Sequence, residues 1–156
     1  MNRLLAGTIS GFVATFPMTL VMQVLHRWPH RERDALPPQQ ITEELAERAG
    51  IMKHLNEPEL EAAVLANHFG FGAAGGAGYA AALGKVDLPP VLKGTIWGMA
   101  VWLVSYLGWI PAANILPPAT EATRQRNVLM IVAHLVWGIS LAYLTDRLVG
   151  ANEDKE

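Results

Sequence analysis

The stretch Ala62–Leu83, AAVLANHFGFGAAGGAGYAAAL, decides how the rest of the chain is read. It carries no charge and is long enough to cross a bilayer as a helix. Its composition is unusual for a lipid-facing helix: mostly Ala and Gly, with Asn67 and His68 near its start. Gly72, Gly75, Gly76 and Gly78 leave a surface with few side chains, which lipid gains little from and which another helix can approach closely. The stretch reads as the central strut of a small helical membrane bundle.

Three further apolar blocks match it in length: about Leu4–Leu25, Val91–Ile110 and Val128–Leu148. None shows a polar face at helical period, so the economical reading is an all-α bundle of four transmembrane helices in one domain. The polar segment 26–61 and the solvated tail 149–156 flank these spans. The formal net charge of −2, without a basic stripe, argues against a nucleic-acid partner. The chain has no Cys, which excludes disulfides, thiolate chemistry and Cys-based metal sites. Arg3 followed by an apolar run resembles a signal peptide, but the run is too long for an ordinary h-region and its motif recurs later, so it reads as a retained first span.

In that span Gly7 and Gly11 form a GxxxG face suited to intrachain packing, and Pro17 is expected to kink the helix, with Thr15 or a neighbouring helix satisfying the freed carbonyl. The exit HRWPHRERD is basic, with Trp28 at interface depth; its cluster His26, Arg27, His30, Arg31 and Arg33 reads as a solvated juxtamembrane run. Leu36-Pro37-Pro38 is expected to be extended or a turn. A short amphipathic helix should follow from about Gln39 and stop at Gly50, with Ile41, Leu45 and Met52 on one face and a Glu44–Arg48 pair on another. It fits a surface helix at the bundle mouth, with a lid over a pocket as the functional alternative. Asn56, Pro58 and the acids Glu57 and Glu59 mark the start of the second span. In the third span Trp97, Trp102, Tyr106 and Trp109 read as lipid-facing or interfacial, and Gly108 and Pro111 close it.

The first and third spans share a pattern. LLAGTISG (Leu4–Gly11) aligns with VLKGTIWG (Val91–Gly98), which pairs Gly7 with Gly94 and Gly11 with Gly98. Each half continues with Leu-Pro-Pro, at Leu36–Pro38 and Leu116–Pro118, and then with His-x-x-x-Gly, at His68–Gly72 and His134–Gly138. A duplication of a helix pair, giving a parallel repeat, is the expectation. Gly7, Gly11, Gly72, Gly76, Gly94, Gly98 and Gly138 are then the helix-packing positions. His68 and His134 would sit at matching depth, on the order of 10 Å below the face that carries both Leu-Pro-Pro links. That face holds Arg27, Arg31, Arg33, Arg48, Lys53, Arg124 and Arg126, against Arg3, Lys85, Lys93, Arg147 and Lys155 on the other, a slight vote for a cytoplasmic loop side.

GFVATFPMTLVM, LPPQQITEELAER, LGWIPAANILPPAT and NVLMIVAHLVWGISLAYLTDRL resemble a group of small bacterial multi-span proteins of unknown function, close to the YagU-like inner-membrane family. The resemblance covers most of the chain, although this chain is shorter, and implies a multi-pass protein of a bacterial inner membrane. It brings no catalytic residues with it.

Three roles compete for the two membrane histidines, since an ionisable side chain in a span is a functional candidate by default. Neutral His68 and His134 could hydrogen-bond across helices to Asn67, Thr8, Ser105 or Ser140 as polar glue. They could line a polar pocket or pathway with Asn67 and Asn114, with Glu121, Arg124 and Glu43 at its mouth. Or they could be the axial ligands of a b-type haem between facing helices, in an electron-transfer protein. A structural metal lacks further ligands at the same depth. No nucleophile elbow, P-loop or HExxH is present. The sequence is best read as a non-enzymatic bundle with an accessory, interaction or transport-related role, without a bound cofactor. Its partners are the lipid bilayer and other membrane subunits or a second copy of the chain.

Overall fold

A computed structural model describes residues 1–27 and 35–153, with side chains through residue 150. The juxtamembrane cluster at His30, Arg31 and Arg33, and Trp28, lie outside the described residues. Every element is helical: α1 (Arg3–His26), α2 (Pro37–Arg48), a 3-10 turn (Met52–His54), α3 (Glu57–Ala82), α4 (Pro90–Val104), a π-turn (Ser105–Trp109), α5 (Ile110–Ala112) and α6 (Arg124–Glu153). Among the described residues no strand occurs.

The helix starts follow local chemistry. Asn56 accepts from the Glu59 amide at 3.0 Å while Glu59 Oε2 accepts from the Asn56 amide at 2.9 Å, a reciprocal capping box ahead of α3. Pro58 stands in the first turn, where its missing N–H costs nothing. The same logic corrects the reading of Leu36-Pro37-Pro38. Pro37 and Pro38 open α2 with Leu36 as its cap, because an N-terminal turn is where proline is already set for a helix. Gly50 at φ 70° ends that stretch in the left-handed conformation.

Helix α1 is inside out relative to a soluble helix. Its buried face is Ala6, Gly7, Ser10, Gly11, Ala14, Thr15, Met18 and Met22, while Leu4, Leu5, Ile9, Phe12, Val13, Phe16, Leu20 and Val24 are exposed. Small and hydroxylic side chains inside, large apolar ones outside, is the arrangement a hydrocarbon solvent selects. α4 continues it with Val91, Leu92, Ile96, Leu103 and Val104 on the surface. Among the described residues three segments are long and apolar enough to cross a membrane: Arg3–His26, Pro90–Ala112 and Arg124–Gly150. α3, the expected central strut, falls short of the hydropathy of these three, because Ala and Gly contribute little apolar surface and Asn67 and His68 subtract from it.

The helices pack in the order α3, α1, α6, α4. At the α1–α3 crossing, a Cβ built on Gly7 would lie 2.4 Å from the Gly76 carbonyl oxygen, and one on Gly11 2.2 Å from that of Gly72. At the α4–α6 crossing, Gly94 lies against the Gly138 carbonyl at 2.4 Å and Gly98 against that of His134 at 2.3 Å by the same measure. The two crossings therefore match only when His134 is set against Gly72 and Gly138 against Gly76. The shared His-x-x-x-Gly pattern is one turn out of this register, about 6 Å along the axis, since close backbone approach and not the histidine fixes the crossing.

Other sequence expectations change on packing. Thr15 Oγ1 donates to the Gly11 carbonyl at 2.8 Å, not to the carbonyl freed by Pro17, which stands inside α1. Trp102 is buried, and the Trp97 indole donates to the Gly75 carbonyl at 3.0 Å, so these rings face the bundle; Trp109 is the exposed one. The third span does not close at Gly108. Gly108 takes a non-helical conformation inside the π-turn and the helix resumes to Ala112. α6 extends past Leu148 to Glu153, into the segment expected to be a solvated tail.

Candidate functional site

Below α2, where α1, α3, α4 and α6 come together, lies a cavity of about 150 Å³. It is lined by Thr15 and Met18 of α1, Asn67, His68, Phe71 and Gly72 of α3, Val101 of α4, Ser105, Tyr106 and Trp109 of the π-turn, Ile110, and Met130, His134 and Trp137 of α6; Pro38, Ile41, Thr42 and Leu45 form its roof. No Asp, Glu, Lys or Arg is among these residues.

The two histidines share this cavity but do not act as glue between helices. His134 Nδ1 donates to the Met130 carbonyl one turn back on its own helix at 2.7 Å, which leaves Nε2 as the free ring nitrogen. Its ring stands edge-on to Tyr106, centroids 5.9 Å apart. His68 Nε2 is buried without a hydrogen-bond partner, and so is Ser105 Oγ. Ser105 is 3% exposed. A buried polar atom without a partner carries a cost of about 1–3 kcal/mol and calls for a water or ligand.

The roof is fastened to α3, to α6 and to the turn that follows α5. Asn67 Nδ2 of α3 donates to Thr42 Oγ1 at 3.2 Å. Arg48 reaches across the mouth and donates to the Ala113 carbonyl at 2.7 Å and the Asn114 carbonyl at 2.6 Å, while its Nε pairs with Glu44 at 2.8 Å. Arg126 of α6 donates to Gln40 Oε1. The face of α2 that is buried is Pro37, Thr42 and Ala46, with Ile41 and Leu45 toward the cavity; Met52 belongs to the following 3-10 turn.

Of the six pocket or pathway candidates, Asn67, His68 and His134 line the cavity. Asn114, Glu121 and Arg124 do not. Asn114 adopts φ 55° and presents its carbonyl to Arg48, and Arg124 opens α6. Ser105, Thr42, Arg48 and Arg126 were missed as a set. Two polar links on one side of the bundle, one holding a helix, were the available signal.

A haem does not fit between the histidines. The cavity is about half the lower bound of the ~300–1,000 Å³ pockets that hold drug-sized ligands, and a porphyrin exceeds those ligands. Among the described residues no three of His, Asp or Glu gather as a metal site.

The opposite end of the bundle holds a second polar feature. Lys93, 4% exposed, donates to both carboxylate oxygens of Asp146 at 3.1 and 3.0 Å and ties α4 to α6. The Arg3 guanidinium donates to the Gly84 carbonyl beside it. Both ionic residues were visible in the sequence, Lys93 third in its apolar block and Asp146 third from the end of another.

Inside-out helices, glycine crossings and a roofed cavity without charge define a small α-helical membrane protein with a pocket between its helices. The chain belongs to a family of proteins of unknown function, DUF1440, whose family model matches residues 14–143. No curated protein and no solved structure shows a match.

Proposed function

We propose that the chain crosses a bacterial inner membrane four times, through α1, α3, α4–α5 and α6, and that it binds a small molecule in the cavity under α2 in a transport-related or accessory role. The observation that carries this reading is Ser105 Oγ, buried and unpaired in a cavity that also holds His68 and His134. α3 is counted as a span on two grounds. Its 26 residues reach about 39 Å, more than the ~30 Å hydrocarbon core. It also packs lengthwise on α1, which supplies the burial its own small side chains do not. The similar glycine crossings of α1–α3 and α4–α6 support a duplicated helix pair, in the register set by Gly72–Gly76 and His134–Gly138.

A binding role is favoured over catalysis. Ser105 Oγ makes no hydrogen bond to either imidazole, so no base activates it as a nucleophile. α2 then acts as the lid that shuts the occupied site from water.

The test uses the absence of native cysteine. Met130, 2% exposed, lines the cavity from α6. Met130→Cys in lipid nanodiscs is expected to react with the small neutral reagent methyl methanethiosulfonate and to resist its bulky charged analogues. A thiol inert to both would end the binding-site reading. Single cysteines at Gly50 and Asp87 should label from opposite sides of inverted and right-side-out vesicles. Labelling from the same side would refute four spans.

A further inference from the structure

The cavity reaches the outer surface of the bundle sideways as well as lying under α2. Phe71 and Trp109 both line it, and both are large exposed apolar residues, 48% and 41% accessible. Their rings face each other, centroids 6.1 Å apart, across the gap between α3 and α4–α5. That gap is the loose seam of the bundle. α1 packs its backbone on α3 and α6, and α4 packs on α6, but α3 and α4 have no such crossing. They are bridged by side chains: the Trp97 indole on the Gly75 carbonyl, and the Phe71–Trp109 pair. In a membrane this seam opens to hydrocarbon, not to water.

Size and polarity narrow the occupant. About 150 Å³ is the volume of an apolar cavity that takes benzene, one six-membered ring. A lining without charged side chains excludes an ion, because nothing would compensate its desolvation. The aromatic wall of Tyr106, Trp109 and Trp137 suits the faces and edges of a ring. Ser105 Oγ, with no partner in the protein, requires a hydrogen-bonding atom on the ligand.

We propose that the cavity takes the neutral, oxygen-bearing single-ring head of a membrane-dissolved phenol or quinone type of molecule, admitted from the bilayer between α3 and α4, with its apolar tail left in the seam at Phe71 and Trp109. This rests on the cavity being a binding site. The ring oxygen pairs with Ser105, and the tail replaces lipid contacts with those of the seam.

The test compares 4-hexylphenol with hexylbenzene, which has the same ring and tail but no oxygen, as protectants of Met130→Cys against methyl methanethiosulfonate in nanodiscs. Hexylphenol is expected to slow labelling at least about fivefold and hexylbenzene less than about twofold, the difference one buried hydrogen bond makes. Ser105→Ala should raise the half-protecting hexylphenol concentration by about five- to tenfold. Equal protection by the two compounds overturns the hydrogen-bonded head. Protection by neither, with labelling intact, overturns the ligand class while the cavity stands; failure of the labelling itself overturns the binding site. The route is read separately, by stopped-flow quenching of Trp137 with a brominated hexylphenol. A bismaleimide tether between Phe71→Cys and Trp109→Cys should slow quenching at least about tenfold relative to the untethered variant. If slowing instead follows a tether between Arg48→Cys and Asn114→Cys, the ligand passes beneath α2 and lateral admission is refuted.

Discussion

Gly11→Ala tests the core of the packing argument with a single methyl group. The new Cβ would stand 2.2 Å from the Gly72 carbonyl oxygen, 2.8 Å from Gly76 Cα and 3.0 Å from the Gly76 amide nitrogen. Carbon–oxygen contacts between helices settle near ~3.3–3.6 Å, so α1 and α3 must part by about 1 Å. All three neighbours are backbone atoms, and no side-chain rotation relieves the overlap. Parting the helices also loosens Gly7 against Gly76 and the Trp137 indole on the Gly11 carbonyl at 3.2 Å, which couples α6 to the same point. Overpacking of this kind costs about 1–3 kcal/mol, against a gain of about 0.5–1 kcal/mol from replacing a helical glycine with alanine. The net expectation is a loss of about 1–2 kcal/mol. Gly70, on the same helix as Gly72, has nothing within 4 Å of its built Cβ, so Gly70→Ala should be neutral or stabilising by up to about 1 kcal/mol. Reversible unfolding in mixed micelles, followed by far-UV circular dichroism and tryptophan emission, measures both. A Gly11→Ala protein as stable as the parent, or a Gly70→Ala protein that loses as much, refutes the close crossing.

Asp146→Ala should destabilise by about 2–3 kcal/mol, since it strands the buried Lys93 ammonium, whereas Lys93→Met should stay within about 1 kcal/mol and the double variant should recover most of the loss; a micelle unfolding cycle gives the coupling. Arg48→Ala removes two bonds to carbonyls and should release α2 by about 1 kcal/mol, seen as faster amide exchange over Pro37–Arg48 with α3 unchanged; unaltered exchange would mean that the roof is held elsewhere. Asn114→Ala at φ 55° should cost about 1 kcal/mol and Asn114→Gly little, by the same unfolding assay. Purified protein from haem-supplemented cells should show no Soret band; a band lost in His68→Ala or His134→Ala would require a cavity far larger than 150 Å³.

Much of the helical frame was legible because its causes are local. The capping box at Asn56 and Glu59, the stop at Gly50, the Glu44–Arg48 pair and the lengths of the apolar blocks are set by residues within a turn or two of each other. The recurring Gly-Thr-Ile-x-Gly marked two faces without side chains. What it did not contain was the partner register. Gly98 packs against the His134 carbonyl as well as Gly138, and Gly94 against the Gly138 carbonyl, because the depth at which two helices cross depends on where their backbones fit across space. The tryptophans follow a related rule: an indole within an apolar block suits lipid and a glycine-lined gap equally, and only the position of Gly75 brings Trp97 inward. The cavity was beyond the sequence altogether. Asn67, His68 and His134 stand out on chemistry alone, but Ser105, the roof helix and the Arg48 clasp join them only through contacts between residues as many as 86 positions apart. Composition determined that this chain belongs in a membrane; the meeting of four helices under α2 decided where it could hold anything.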